Sequence, residues 1–138
     1  MELDSSLQRT FDRLKIEGPL PENYDLVEHI RTRQIPFSQK TFGPGTRTNG
    51  VLDHIQKEIE EVREAPDDVE EWIDIAMLSL DGAWRCLQER IPESEIPKII
   101  AAVIAGKQSK NEKRDWPDWK TQDRDKAICH DRSGEIPD

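Results

Sequence analysis

Apolar side chains recur three or four residues apart through most of the chain, a spacing that places them on one face of a helix. The pattern predicts helices over about residues 3–15, 24–34, 51–64, 69–87 and 96–113. Prolines and glycines separate these segments, as is typical of connections between helices. We therefore expect an all-α fold, a helical bundle within a single domain. Its helical core is expected to span residues 24–114, with an N-terminal helix and linker over 1–22 and an extended tail over 115–138.

The segment between the second and third predicted helices is PFSQKTFGPGTRTNG, residues 36–50, and it contains two prolines and three glycines. This composition predicts a loop, and Pro36 is expected to end the helix before it. A loop of this length in a compact domain is more often functional than idle. We therefore expect this segment to contribute to a site.

The third predicted helix separates two kinds of acidic residue. Its apolar side chains form one stripe, and Glu60 and Glu64 point away from that stripe into solvent. Glu58 and Glu61 lie on the border of the stripe, three residues apart, with His54 one turn earlier. Such a glutamate pair is usually a solvated helix face when nothing accompanies it.

The fourth predicted helix is apolar over most of its circumference, which predicts a buried central helix. A narrow polar strip interrupts the apolar surface and holds Glu71, Asp74, Asp81 and Arg85. Acidic side chains on so apolar a helix are costly to bury without partners. Asp74 in particular lies a full turn inside the helix. Asp81 and Arg85 are four residues apart and can form an ion pair, so their role stays open between structure and function.

An antiparallel arrangement of these two helices would bring two pairs of acids together, and such a cluster is repulsive unless cations lie within it. The four acids are Glu58, Glu61, Glu71 and Asp74. Mg²⁺ prefers carboxylate, water and phosphate oxygens as ligands, and the chain has no cluster of Cys or His residues. The acids therefore predict a Mg²⁺ site, in which Mn²⁺ is a possible substitute, suited to phosphoryl transfer.

The last predicted helix changes character along its length. Its first half is apolar, whereas Lys107, Asn111 and Arg114 share one face of its polar second half. The two cations on that face are suited to binding the phosphates of an anionic substrate. Read alone, they could equally be ordinary surface charges.

The composition of the chain indicates which partners and which cellular compartment to expect. Apolar residues make up 34% of the chain and charged residues 36%, which favours wide solvated faces or a core completed by oligomerisation. A formal net charge of −9 disfavours duplex nucleic acid as a partner, because binding it needs a basic face. No apolar run approaches the roughly 18 residues of a membrane span, and the N-terminus lacks the apolar segment of a signal peptide. We therefore expect a cytoplasmic protein without membrane contact, and two cysteines without zinc spacing agree with a reducing compartment.

Several blocks of the sequence resemble a known superfamily. The Glu58-x-x-Glu61 and Glu71-x-x-Asp74 pairs, with Lys107-x-x-x-Asn111 on a later helix, resemble the MazG-like all-α nucleoside triphosphate pyrophosphohydrolases. TFGPGTR, GVLDHIQKE, EWIDIAMLSLDGAWR and KNEKRDWPDW resemble its phage-associated branch, the dATP/dGTP diphosphohydrolases. The resemblance covers roughly residues 24–132, with the blocks in the same order.

This resemblance implies a Mg²⁺-dependent enzyme that cleaves the α–β phosphate bond of a purine deoxynucleotide, dGTP or dATP, and so shapes the deoxynucleotide pool. It implies a helical homodimer or homotetramer, in the host cytoplasm if a phage encodes it. The four acids would bind metal, and one of them would orient the attacking water. Phe37 or Phe42 would stack on the purine, and Ser38 or a backbone group would read its edge. The full set of substrate-binding residues expected by carry-over is Phe37, Ser38, Phe42, Arg47, His54, Arg85, Lys107, Asn111 and Arg114.

Two alternatives remain at this point. One is the same chemistry on a pyrimidine or damaged deoxynucleotide. The other is a non-catalytic helical interaction module whose acids are only surface charges, although that hypothesis explains poorly the acids on so apolar a helix.

Overall fold

Helices account for most of the regular structure of residues 1–132, the part of the chain that the computed structural model describes, and no strand occurs among them. The predicted all-α fold is therefore confirmed. The α-helices are α1 (Ser5–Leu14), α2 (Leu26–His29), α3 (Ile35–Phe42), α4 (Thr48–Glu64), α5 (Val69–Leu87) and α6 (Ile96–Glu112). The chain forms two compact units, and the second begins at Ala102, within α6.

The helix pair α4 and α5 is the main packing interaction of the first unit. Residues 65–68 join the two helices, and Asp68 caps α5 by accepting a hydrogen bond from the backbone N–H of Glu70. Near the start of α4, the Val51 side chain lies against Gly82 in the second half of α5. The two helices are therefore antiparallel, with the middle of α4 facing the first half of α5.

The apolar core of the first unit lies around the second half of α5. Its buried members are Ile30, Ile35, Trp84, Ile96 and Ile100. Trp84 is completely inaccessible to solvent, and the start of α6 covers it from another element of the chain. This core fixes the C-terminal half of α5, on which the rest of the unit is arranged.

The predicted end of the helix at Pro36 is wrong. A π-helical turn over Ile30–Gln34 follows α2, and the chain continues directly as α3 to Phe42. Ile35 donates its N–H to the Ile30 carbonyl, one residue further back than in an α-helix. This wider turn accommodates Pro36, which has no N–H to donate and would crowd the carbonyl of a regular preceding turn. Of the predicted loop over residues 36–50, only residues 43–47 therefore lie outside a helix.

The prediction that α5 is a buried central helix is wrong for its first half in the structure of the single chain. Its buried residues lie in its second half, whereas Trp72, Ile73 and Met77 are 55%, 46% and 42% exposed. The first half of α5 packs on α4 and contacts α1, which leaves an apolar face uncovered.

A buried polar network fastens α3 and the turn after it to α5. The Arg85 side chain is 3% exposed, and its Nε lies 3.2 Å from each carboxylate oxygen of Asp81. Its Nη1 donates to the Gly45 carbonyl oxygen at 2.6 Å, and its Nη2 donates to that of Gly43 at 2.9 Å. Nη2 also donates to Ser38 Oγ, whose hydroxyl donates to Asp81 Oδ1. Both glycines have φ near +88°, so the turn needs glycine as well as the arginine.

The second unit contains the end of α6 and the chain that follows it. A 3₁₀ turn at Trp119–Thr121 is its other helical element within the described residues. The Asp131 N–H donates to the Asp115 carbonyl, and the Trp116 and His130 rings pack edge to face 5.3 Å apart. The last six residues of the tail predicted over 115–138 lie outside the described residues.

None of the helices among residues 1–132 combines the length and the apolar character needed to cross a membrane.

Replacing Arg85 with methionine should lower the free energy of unfolding by about 3–5 kcal/mol, because the Asp81 carboxylate would stay buried without its cation. Urea unfolding followed by circular dichroism measures this loss. Arg63→Gln is the control, because the one ion pair of Arg63 among the described residues is an exposed contact with Glu60 at 3.7 Å. That change should cost less than about 0.5 kcal/mol, and an equally small loss in Arg85→Met would contradict the structural role of the network.

Candidate active site

Three of the four predicted acids meet where α4 faces the first half of α5. Glu58, Glu71 and Asp74 each offer a carboxylate oxygen, and these oxygens all lie within 4.8 Å of one another. All three side chains are half-buried. We refer to these three residues as the acid trio. The antiparallel packing of the two helices thus produces the convergence that the spacing of the acids predicted.

Glu61 lies beside the acid trio without joining it. It is one turn beyond Glu58 on α4, it is exposed, and its negative charge contributes to the raised pKa of Glu71. The structure therefore places Glu61 at the edge of the cluster.

The charges around the acid trio are unevenly neutralised. Arg13 of α1 lies 3.0 Å from Asp68 Oδ2 and 3.2 Å from Glu70 Oε2, so these neighbouring acids have a cation of the protein. Among residues 1–132, the only basic group in an ion pair with the trio is His54, whose Nε2 lies 3.4 Å from Glu58 Oε1. An imidazole carries a full charge only when it is protonated. Most of the negative charge of the trio is therefore left without a cation.

Two members of the trio, Glu71 and Asp74, have raised pKa values. Loss of solvent around the carboxyl group is the largest cause of the raised pKa of Glu71, followed by the negative charges of Asp74 and Glu61. Loss of solvent also contributes most to the raised pKa of Asp74, followed by the charge of Glu58, whereas His54 acts in the opposite direction. A bound cation would offset this repulsion in the same way as a proton does.

The acid trio fits a hard divalent metal ion. Its ligands are all carboxylate oxygens from side chains held by two helices, and Mg²⁺ prefers such ligands together with water and phosphate oxygens. The three side chains are only half-buried, so a substrate can supply further ligands. The residues present thus fit a divalent metal ion.

A cleft of about 610 Å³ opens beside the acid trio in the first unit. We call it the main cleft, and Asp74 belongs both to its lining and to the trio. Of the residues predicted to contact substrate, those that line it are Phe37, Ser38, Phe42 and His54. Their elements are α3 and α4, so the unforeseen extension of the helix through Pro36 is what carries two phenylalanines into the cleft.

Aromatic rings connect the cleft to the carboxylates. The Phe42 ring packs edge to face against Phe37 on one side and His54 on the other, with 6.1 Å between ring centres in each pair. His54 in turn contacts Glu58. Arg47 lies outside the lining and places its guanidinium over the Phe42 ring at 5.4 Å. A planar base in the cleft would therefore meet aromatic side chains within reach of the acid trio.

Two of the predicted contact residues are buried in the network that supports the cleft. Ser38 is 1% exposed, and its hydroxyl group is bonded to Asp81 and Arg85. The Arg85 guanidinium donates hydrogen bonds to Asp81, to Ser38 and to the carbonyl oxygens of Gly43 and Gly45. These bonds hold the end of α3 and the turn after it in place, while a contact of Arg85 with substrate stays a prediction.

The cleft also contains residues that sequence reasoning did not select. They are His29, Thr32, Arg33, Gln34, Pro36, Lys40, Met77, Leu78 and Asp81. The polar strip of α5 contains Asp81, although an ion pair with Arg85 was a sufficient explanation for that residue. The residues of the π-helical turn gave no comparable signal, because their side chains point to the cleft only when the helix continues past Pro36.

The remaining predicted residues lie in the second unit. Lys107 is exposed on α6, and Asn111 is half-buried near the end of that helix. Arg114 Nη1 donates to Asn111 Oδ1 at 2.9 Å. The structure thus brings Asn111 and Arg114 together, while a role of the three side chains toward phosphate stays a prediction.

Comparison with known proteins identifies the family. The family model for dATP/dGTP pyrophosphohydrolase matches residues 30–134, a range that includes the acid trio and most of the main cleft. No curated protein and no solved structure matches the chain significantly. The match covers most of the sequence. It includes the four predicted acids as well as Lys107, Asn111 and Arg114. The chain therefore belongs to the dATP/dGTP pyrophosphohydrolase family and is a nucleotide pyrophosphohydrolase.

Proposed function

We propose that the protein hydrolyses dGTP or dATP to the nucleoside monophosphate and pyrophosphate in a Mg²⁺-dependent reaction, with Mn²⁺ as a possible substitute. The observation that carries this proposal is the position of Asp74, which lines the main cleft and also belongs to the acid trio. One substrate can therefore place its base between aromatic side chains and its phosphates at the carboxylates. Family membership supports the purine deoxynucleotide as substrate.

In the proposed reaction, water attacks the α phosphorus in line and pyrophosphate leaves. Glu58, Glu71 and Asp74 hold the metal, and Glu61 at the edge of the cluster completes the set of four acids. Bound Mg²⁺ would neutralise the phosphates and lower the pKa of the attacking water. One carboxylate accepts a hydrogen bond from that water and orients it. The repulsion within the acid trio supports this assignment, because it favours cation binding in the folded protein.

The substrate contacts follow the lining of the cleft. Phe37 and Phe42 bind the base, and His54 joins the aromatic group to Glu58. Arg47, over the Phe42 ring, would act from outside the lining. Lys107, Asn111 and Arg114 are assigned to the phosphates and the sugar on the resemblance of their spacing. The hydrogen bond between Arg114 and Asn111 supports a joint role for that pair.

Asp74→Asn and Glu61→Gln should each reduce turnover by about 100-fold or more, because each removes a negatively charged ligand while leaving the side-chain volume nearly unchanged. The assay supplies each deoxynucleoside triphosphate with Mg²⁺ and separates the products. Monophosphate with pyrophosphate identifies cleavage between the α and β phosphates. The same assay includes pyrimidine and oxidised nucleotides, so it also tests the alternative substrates.

The matched controls are Asp53→Asn and Glu60→Gln on α4. Asp53 pairs with Lys57 and Glu60 pairs with Arg63, and all four side chains are exposed. Both controls should keep activity within about twofold of the parent protein. Near-parental activity in Asp74→Asn or in Glu61→Gln would contradict the four-carboxylate model.

Asp74→Asn should raise the thermal midpoint of the metal-free protein by a few degrees at pH 8. The folded-state pKa of Asp74 is raised, so its ionisation destabilises the fold above that pKa, and the effect disappears as the pH falls toward the ordinary value of an aspartate. Added Mg²⁺ should raise the midpoint of the parent protein and have little effect on the variant. Thermal scans at pH 5 and pH 8, with and without Mg²⁺, measure both effects. An Asp74→Asn variant that Mg²⁺ stabilises as strongly as the parent would argue against Asp74 as a ligand.

We also propose that the protein forms a homodimer or homotetramer in which a neighbouring subunit covers the apolar face of α5. Val69, Trp72 and Ile73 leave 42–55% of their surface exposed on the single chain, which is unusual for adjacent large apolar residues. Ile73→Glu should therefore reduce the mass in solution to that of one chain, as measured by light scattering during size-exclusion chromatography. The control Lys57→Glu changes an exposed charge on α4 and should leave the mass unchanged. A parent protein with the mass of one chain would contradict the oligomer.

A further inference from the structure

Asp81 is a carboxylate in the main cleft for which the proposed reaction has no use. It lines the cleft although its side chain is only 4% exposed. Its ion pair with Arg85 explains why a charge is tolerated there. The ion pair does not explain why the carboxylate rather than an apolar group faces the cleft.

The hydrogen bonds of Asp81 divide unequally between its two oxygens. Oδ1 accepts from Ser38 Oγ, from Trp84 Nε1 at 2.7 Å and from Arg85 Nε at 3.2 Å. Oδ2 accepts, from residues 1–132, only the shared Arg85 Nε at 3.2 Å. Each carboxylate oxygen has about two acceptor sites. Oδ2 therefore keeps capacity for a further donor, whereas Oδ1 is saturated.

The Ser38 hydroxyl next to Asp81 has no donor left for a base. The hydroxyl proton of Ser38 is committed to Asp81, and its oxygen accepts from Arg85. Gln34 also lines the cleft and donates from Nε2 to the Met77 carbonyl at 3.1 Å. A base edge that meets the remaining acceptor site of Asp81 Oδ2 must therefore supply an N–H group.

Guanine and adenine differ at that edge. Guanine presents an N1–H and a 2-amino group side by side, both donors. Adenine presents an unprotonated N1, which is an acceptor, and carries a donor only at its 6-amino group. An adenine N1 opposite a carboxylate oxygen leaves both acceptors unpaired, and a buried unpaired acceptor is costly. Sites built to bind a donor discriminate strongly against analogues that lack it.

We propose that Asp81, through Oδ2, accepts a hydrogen bond from the N1–H and 2-amino edge of guanine and makes the enzyme prefer dGTP to dATP. Asp81 is then a specificity-determining residue, and Ser38, Trp84 and Arg85 hold its carboxylate in place. This inference rests on the proposed function, since it concerns the base of the same substrate. It assigns the base-reading role to Asp81 instead of Ser38.

Substrate analogues test the inference on the unaltered protein. With Mg²⁺ present, kcat/KM should be at least about 10-fold higher for dGTP than for dATP. The value for 7-deaza-dGTP should match that for dGTP within about twofold, because it keeps the donor edge and lacks only N7. Comparable values for dGTP and dATP would overturn the inference, as would a loss of activity with 7-deaza-dGTP as large as that with dATP.

Asp81→Asn tests the residue itself. Ser79→Ala is the control, because Ser79 lies on the same helix and its hydroxyl bonds, within residues 1–132, to the Ile75 carbonyl alone. Asp81→Asn should reduce the ratio of kcat/KM for dGTP over dATP to within about threefold of unity, and Ser79→Ala should leave the ratio unchanged. A folded Asp81→Asn variant that keeps the parental ratio would overturn the inference. If the variant fails to fold, the comparison of dGTP, dATP and 7-deaza-dGTP on the unaltered protein still tests the inference. Failure to hydrolyse any deoxynucleotide would instead reject the proposed function, a result distinguishable from hydrolysis without guanine preference.

Discussion

The buried ion pair between Asp81 and Arg85 is the interaction on which the cleft depends. Its guanidinium reaches from α5 to the carbonyls of Gly43 and Gly45, so a single side chain fixes both the end of α3 and the turn that follows. A charge in such a place is stable only because nearly every donor and acceptor around it is satisfied. Ser38 and Trp84 complete that network. The wall that carries Phe37 and Phe42 thus owes its position to a polar contact within an otherwise apolar core.

Helix α5 meets two opposite physical demands along its length. Its second half is buried around Trp84, and its first half places Glu71 and Asp74 beside Glu58, where their like charges repel one another. The antiparallel packing on α4 opposes that repulsion. Arg13 neutralises the neighbouring acids without reaching the trio in an ion pair. The fold therefore concentrates negative charge at one place, which suits the binding of a divalent cation and costs stability when none is bound.

Helical periodicity predicted most of the elements well, because an amphipathic stripe reports which face of a helix is buried. It failed at residues 35–42, where composition favoured a loop and the chain instead forms α3. Pro36 ordinarily ends a helix because of one missing hydrogen bond and one steric clash. A π-helical turn over Ile30–Gln34 relieves both. No pattern of single residues announces such a turn, since it depends on the packing of Ile30 and Ile35 in the core.

The sequence by itself determined the class of fold, the acids on each helix face and the family to which the chain belongs. These features are local, because spacing along one helix decides which side chains share a face. Only the tertiary structure decided that Glu58, Glu71 and Asp74 converge while Glu61 stays at the edge. It also decided that Ser38 and Arg85 bond to the turn and the acid beside the cleft, and that Asp81 Oδ2 accepts a single hydrogen bond from residues 1–132. Distances between residues far apart in the chain depend on how the helices cross and on which hydrogen-bond donors and acceptors meet. The spacing of residues along one helix determines neither of these.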